Sequence, residues 1–165
     1  MQYVKFTAMI ITSTVLMFIM MYLNTYAMSH IWFSETRTYM ALYMGAGMAI
    51  VMLIFMWGMY KNKVVNVAIV LGAAMLFAAS VYLVRSQVSV EDGSWMKAMI
   101  PHHSIAILTS KRANIEDVRV RELANSIIAA QQKEIKEMEW LIADIKENGL
   151  AQSENQAKSR PVPKF

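Results

Sequence analysis

The sequence predicts an all-α membrane protein with three transmembrane helices followed by a helical hairpin outside the membrane. Apolar residues make up 56% of the 165-residue chain and charged residues only 17%, which is more apolar than a typical soluble domain. Three uncharged stretches, 6–23, 39–60 and 64–84, are each long enough to cross a hydrocarbon core of about 30 Å as a helix. The rest of the chain is polar, and its apolar residues recur at the three- and four-residue spacing of amphipathic helices.

The three spans also predict an orientation in the membrane. The first span is interpreted as a membrane anchor rather than a cleaved signal peptide. Basic residues flank the spans unequally, with Lys5, Lys61 and Lys63 on one side against Arg37 and Arg85 on the other. The positive-inside rule then places the N-terminus in the cytoplasm and the C-terminal domain in the periplasm or outside the cell. We therefore expect a protein of the bacterial inner (plasma) membrane, in contact with the lipid bilayer.

The positive charge of the chain belongs to its membrane-like half. Residues 1–85 carry five Lys/Arg and one Glu, whereas residues 86–165 carry eleven residues of each sign, so the net charge of +4 comes from the first half. A nucleic-acid partner is not expected, because the polar half has no basic face. The absence of cysteine excludes disulfide and thiol chemistry. Sixteen methionines are the unusual feature of the composition.

Small residues recur at every fourth position within two of the spans. They are Ala41, Gly45 and Ala49 on the second span, and Ala68 with Gly72 and Ala74 with Ala78 on the third. Such residues allow helix backbones to approach closely. Packing within one three-helix bundle and packing between subunits both remain open.

The polar half divides into a helical hairpin and a tail. The predicted helices are 94–112 and 118–147, and the predicted domains are 1–85, 86–148 and 149–165. Pro101 is expected to interrupt or kink the first helix, and Asn148 and Gly149 end the second. The polar tail is expected to be flexible. Because two helices of this length cannot enclose a good core alone, the hairpin must pack on its own membrane bundle, on a second copy or on a metal, and we expect a homo-oligomer that completes the helical bundle.

One pair of helix faces combines thioether and imidazole groups. Residues three and four apart share a helix face, so Met96, Met99 and His103 form one stripe on the first helix, where His102 also lies beside Met99. A comparable stripe on the second helix consists of Gln131, Glu134 and Met138. Antiparallel packing would place these stripes opposite each other. Thioether and imidazole without cysteine favour copper, especially Cu(I), over zinc, magnesium or calcium. Glu134 could instead orient a histidine through its other ring nitrogen, and the methionines could equally be gap-filling core side chains.

The same residues resemble a known family. The run Met-Ile-Pro-His-His at 99–103, followed by Gln131, Glu134, Ile135 and Met138, resembles the bacterial family called domain of unknown function 305. The resemblance covers about residues 91–146 and implies a ferritin-like helical fold; several members are periplasmic copper-binding proteins linked to copper tolerance. It implies as copper ligands Met96, Met99, His102, His103 and Met138. Thr109 stands where many members have a further methionine, and the chain resembles the subgroup with three preceding membrane spans.

Methionines also recur along the second span, at positions Met40, Met44, Met48, Met52 and Met56. A four-residue period winds around a helix of 3.6 residues per turn, so packing or lipid contact accounts for most of them. Met28, His30 and Met40 are expected near the outer membrane surface. We hypothesise that these three form an entry or relay site for copper.

These observations favour a non-catalytic, membrane-anchored protein that binds Cu(I) for storage, buffering or delivery, together with a copper-donor or copper-acceptor protein. The alternative is a structural or assembly subunit of a larger membrane complex, in which the Met/His cluster is packing core. A ferritin-like redox enzyme is not favoured, because such sites use Glu-x-x-His pairs and the chain has none.

Overall fold

A computed structural model describes residues 2–165, and every regular element in this range is helical. The all-α fold class is therefore confirmed. The helices are α1 (Gln2–Met20), α2 (Glu35–Phe55), α3 (Lys63–Ser86), α4 (Asp92–Arg112), α5 (Val118–Asn148) and α6 (Glu154–Ser159), with a 3-10 turn at Met28–His30. They form two compact units: the first contains α1, α2 and α3, and the second contains residues 24–34 and 91–165.

The first unit holds three helices that are long and apolar enough to cross a membrane, as predicted. Their ends differ by a few residues from the predicted spans, because the prediction follows charge whereas a helix continues until its backbone hydrogen bonds end. Only 6% of the apolar window of α1 and of α3 is buried within the chain, against 28% for α2. The uncovered apolar surface suits lipid, and α2 is the central helix of the unit.

Small residues let α2 pack closely against its neighbours. Ala41, Gly45 and Ala49 are all buried, so the predicted stripe does face other helices of the same unit. A Cβ atom at Gly45 would collide with the side chain of Thr14 on α1. Glycine therefore stands where α1 and α2 come closest. On α3, by contrast, the small residues Ala68, Ala74 and Ala78 are exposed in the chain.

Polar side chains fix the ends of the membrane helices. The Oδ1 atom of Asn62 accepts hydrogen bonds from the backbone N–H groups of Val64 and Val65 at 3.1 and 3.2 Å, which caps the start of α3. The hydroxyl of Tyr3, on α1, donates to Oδ1 of Asn66 at 2.8 Å. The beginnings of α1 and α3 therefore lie at the same end of the unit, and this end carries Lys5, Lys61 and Lys63. The side of the membrane on which they lie stays a prediction.

In the second unit, α4 and α5 pack against each other around an apolar core. Its buried members are Met96, Ile100, Ile107, Ile135 and Met138. Asp117 caps α5 by accepting from the N–H of Arg119 at 2.9 Å, and Gly149 follows the helix with a φ of 74° that suits glycine. Pro101 is buried inside α4 and does not interrupt it, because α4 continues to Arg112.

Residues 24–34, which connect α1 to α2, belong to the second unit rather than the first. The backbone N–H of Tyr26 donates to Oγ of Ser104, on α4, at 2.7 Å. The ammonium group of Lys111 donates to the Tyr26 hydroxyl at 2.8 Å, and Trp32 packs against the apolar core. The predicted division at Arg85 did not include this connection.

The C-terminal tail contains the short helix α6 and folds against the end of α5. Ser153 caps α6 by accepting from the backbone N–H of Gln156 at 3.3 Å. Beyond the helix, Arg160 pairs with Asp144 of α5 at 2.9 Å. The sequence predicted only a flexible polar tail, because a six-residue helix has no apolar stripe that periodicity can detect.

Candidate metal site

The buried side of α4 determines where its predicted ligands lie. Besides Pro101, the buried positions are Met96, Ile100, Ser104 and Ile107, with exposed fractions of 4%, 0%, 0% and 1%. Because they are three or four residues apart, they form one stripe that faces the core. Met99 and His103 each precede a buried position and are half-buried, whereas His102 is exposed. The predicted ligands on α4 therefore range from the core to the surface.

His103 faces a carboxylate of α5. Its Nδ1 atom lies 3.0 Å from Oε2 of Glu134, and the same oxygen accepts a hydrogen bond from the side-chain amide of Gln131 at 3.1 Å. The Nδ1 atom is buried, and its direction toward Glu134 is not that of a regular hydrogen bond. The contact between imidazole and carboxylate is therefore chiefly electrostatic.

The surroundings of His103 keep its ring neutral at neutral pH. Burial lowers the pKa of His103 below its usual 6.5, and the charge of Glu134 opposes this shift without cancelling it. The neighbouring His102 lowers the pKa of His103 further. Neutral imidazole is the form that can donate a lone pair to a metal ion.

Three methionines meet the same helix interface. Met96 and Met138 belong to the buried core and are 4% and 6% exposed, and Met99 packs against the edge of this core. The ring centroids of His102 and His103 are 6.0 Å apart. The α4–α5 interface thus gathers three thioethers and one half-buried imidazole, with a second imidazole at the surface.

The remaining donor groups limit which metal this interface suits. No three His, Cys, Asp or Glu side chains converge among residues 2–165. An imidazole–carboxylate site of the kind that zinc uses, or an oxygen cage for calcium, is therefore not offered by the described part of the chain. Thioether sulphur and imidazole nitrogen, the donor types present between α4 and α5, fit Cu(I).

Of the three predicted relay residues, His30 has a defined contact with α4. Its Nδ1 atom lies 2.9 Å from Oγ of Ser104. Met28, in the same unit, is 82% exposed, and Met40 lies on α2 in the other unit. This contact does not test the relay hypothesis, so the participation of His30, Met28 and Met40 in a copper relay stays a prediction.

The sequence analysis did not identify Ser104 as a residue with a structural role. Ser104 is fully buried, and its hydroxyl oxygen holds both the Tyr26 N–H and the His30 ring. Its spacing from Ile100 and Ile107 could have shown that Ser104 lies on the buried face of α4. A hydroxyl buried there requires a hydrogen-bond partner. Trp32 was missed as well: its indole N–H is buried and has no partner among the described residues.

Comparison with known proteins assigns the polar half of the chain to a family. A family model described as Domain of unknown function (DUF305) matches residues 78–162, just over half of the chain and all of the α4–α5 pair. The chain belongs to the DUF305 family. The resemblance read from the Met-Ile-Pro-His-His run is thereby confirmed for the family, whose description leaves its function open.

A curated relative of this DUF305 protein comes from a virus. A segment of 68 residues is 41% identical to an uncharacterized protein of Acanthamoeba polyphaga mimivirus. The segment covers 40% of this chain and 45% of the viral protein, so the match spans less than half of the relative's length. No solved structure matches the chain.

Proposed function

We propose that this DUF305 protein is a membrane-anchored copper-binding protein that holds Cu(I) between α4 and α5 for storage, buffering or delivery. One observation carries the proposal: a neutral, half-buried imidazole and three thioethers meet at one helix interface. Thioethers are soft ligands, and imidazole is a common ligand of copper. The set has no net charge, which suits a monovalent ion better than a divalent one, because burying the smaller charge costs less free energy.

Each predicted ligand has a distinct part in this proposal. Met96 and Met138 supply sulphur from the buried core, and His103 supplies imidazole nitrogen. Because Nδ1 of His103 faces Glu134 at 3.0 Å, the ring would bind copper through Nε2. A carboxylate on the far side of a ligating imidazole orients the ring and raises its basicity. Met99 and His102 are less buried, so they would bind the ion at the outer edge of the site.

The rest of the molecule has supporting roles in the proposal. Helices α1–α3 anchor the site in the bacterial inner membrane, with the second unit on the periplasmic or outer side. His30, held by Ser104, would pass copper between the α4 surface and the membrane edge, where Met28 and Met40 are the further candidates. A homo-oligomer would complete the helical bundle around the site, and a copper-donor or copper-acceptor protein would exchange copper with it.

The test of this proposal is Cu(I) binding by purified protein in detergent. The wild-type chain is titrated against a chromophoric Cu(I) chelator, in parallel with a His102→Ala/His103→Ala double variant. We expect the double variant to lose the high-affinity binding of the wild type while retaining its helical circular dichroism. Undiminished copper binding in the double variant would reject this site.

A second function has one specific observation in its favour. Met96 and Met138 lie within an otherwise aliphatic core, which is also what gap-filling methionines do. In this alternative the second unit is a structural or assembly module of a larger membrane complex. Gentle purification from its host would then yield a stable protein partner and no bound copper, whereas the copper proposal predicts copper in the purified material after growth with the metal.

A further inference from the structure

A cavity of about 470 Å³ lies at the end of the α4–α5 pair where α4 begins and α5 ends. Its walls come from three segments: the first turns of α4, the last turns of α5 and the C-terminal tail. Met96 lines this cavity from α4, and Leu150 and Val162 line it from the tail. The tail therefore forms part of the wall of a cavity into which the otherwise buried Met96 opens.

One ion pair fastens the tail over this cavity. The guanidinium of Arg160 lies 2.9 Å from Oδ2 of Asp144, and the side chains are only 23% and 14% exposed. The same guanidinium donates to the carbonyl oxygen of Gly149 at 3.3 and 3.4 Å. Since Arg160 holds both the end of α5 and the start of the tail, it closes residues 150–159 into a loop beside the cavity.

The cavity offers a cation first a carboxylate and then a thioether. Asp92 and Met96 both line it and are four residues apart on α4, so they share one helix face. Asp92 is exposed, whereas Met96 is 4% exposed. Met96, Met99 and His103 follow one another along α4 at spacings of three and four residues, which continues the path toward the imidazole.

We propose that this cavity is the entrance through which Cu(I) reaches the methionines, and that the tail, fastened by Arg160 and Asp144, limits how fast the ion enters and leaves. The inference rests on the proposed function, and it adds an access route and a gate to that site. Release of Arg160 opens the cavity wall and also leaves the carboxylate of Asp144 unneutralised beside Asp92. Both changes favour passage of a cation.

The first test measures the exchange of copper with the full chain in detergent. Copper-loaded wild type, Arg160→Gln and a chain ending at Gly149 are mixed with excess chromophoric Cu(I) chelator in a stopped-flow instrument. We expect release to accelerate by about twofold to fivefold in both variants, the ratio that corresponds to the loss of one ion pair near the surface, with unchanged copper stoichiometry. Lys158→Gln is the matched control, because Lys158 lies in the same tail but pairs only with the exposed Glu154; its release rate should equal that of the wild type.

The second test needs no copper. In copper-free protein, dilute hydrogen peroxide transfers an oxygen atom to methionine sulphur, and mass spectrometry measures sulfoxide formation at each methionine. We expect Met96 to oxidise about twofold to fivefold faster in Arg160→Gln than in the wild type. Met138 is similarly buried but does not line the cavity, so its rate should stay unchanged.

The outcomes separate this inference from the proposed function. Unchanged copper release together with unchanged Met96 oxidation, in both Arg160→Gln and the shortened chain, would overturn the entrance and leave copper binding intact. Faster Met96 oxidation in a protein that binds no Cu(I) would overturn the copper function and with it the proposed cargo of the entrance. Acceleration in Lys158→Gln equal to that in Arg160→Gln would also overturn the gate, because general loss of charge would then suffice.

Discussion

Replacing Met138 by leucine separates the two roles that this side chain can have, as a ligand and as packing. Met138 is 6% exposed and shares its core with Ile100 and Ile135. Leucine has nearly the same volume, so the substitution should lower the free energy of unfolding by less than about 1.5 kcal/mol. Alanine would leave a cavity in the same place and should cost about 2–5 kcal/mol.

Copper affinity should respond differently to the same substitution. If Met138 is a ligand, Met138→Leu removes one of the sulphur donors without opening a cavity, and we expect the Cu(I) dissociation constant to rise by about tenfold or more, or about 1.4 kcal/mol. The assays are thermal unfolding by circular dichroism and competition with a chromophoric Cu(I) chelator. Met75→Leu is the matched control, because Met75 is 69% exposed on α3. A Met138→Leu protein with wild-type copper affinity would refute the assignment of Met138 as a ligand.

Two further predictions follow from contacts in each unit. Burial lowers the pKa of His103, so the unfolded chain binds a proton at this histidine more readily than the folded chain does. The contribution of His103 to the free energy of unfolding is therefore fully present above about pH 6.5 and is lost as the pH falls through the lowered pKa. Copper-free protein melted at pH 7.5 and pH 5.5 should show this loss, and His103→Gln should reduce it; an equal loss in the variant would contradict the prediction. In the membrane unit, Gly45→Ala places a Cβ atom against Thr14 and should destabilise the packing of α1 on α2 by about 1–3 kcal/mol. Gly72→Ala is the control, because Gly72 has open space around it and the substitution should not destabilise the unit. Equal thermal stability of the two variants would refute the close approach of α1 and α2 at Gly45.

Much of the fold could be predicted because its elements have strong local signals. Each membrane helix contains a long uncharged apolar stretch, and α5 carries a regular apolar spacing that ends at Gly149, a residue type that commonly follows a helix. The continuity of α4 across Pro101 was not predicted. Tertiary packing of this proline in the core outweighs its poor helix propensity, and such packing is not visible in a local pattern.

The connection between residues 24–34 and α4 had no local signal either. It depends on the hydrogen bonds of Tyr26 and His30 with Ser104, on that of Lys111 with Tyr26 and on the packing of Trp32. Tyr26 and Ser104 are 78 positions apart in the chain. Contacts between distant segments are set by the whole chain, so neither periodicity nor composition predicts them. The pairing of Arg160 with Asp144 was missed for the related reason that surface charges have many possible partners.

For the candidate site, residue spacing predicted which faces of α4 and α5 meet better than it predicted how deeply each side chain is buried. Helical periodicity placed His103 opposite Glu134, and the two side chains lie 3.0 Å apart. The same periodicity did not distinguish buried Met96 from half-buried Met99 and exposed His102. Depth depends on where the axis of α5 crosses α4, which side-chain volumes determine together. Copper binding itself stays a prediction.

The most direct test of the central claim is X-ray absorption spectroscopy at the copper edge of purified, Cu(I)-loaded protein. We predict a monovalent copper ion with both sulphur and imidazole nitrogen in its first coordination sphere, and loss of sulphur scattering in a Met96→Leu/Met138→Leu double variant. A copper sphere of nitrogen and oxygen alone, or wild-type protein that retains no copper, would contradict the account.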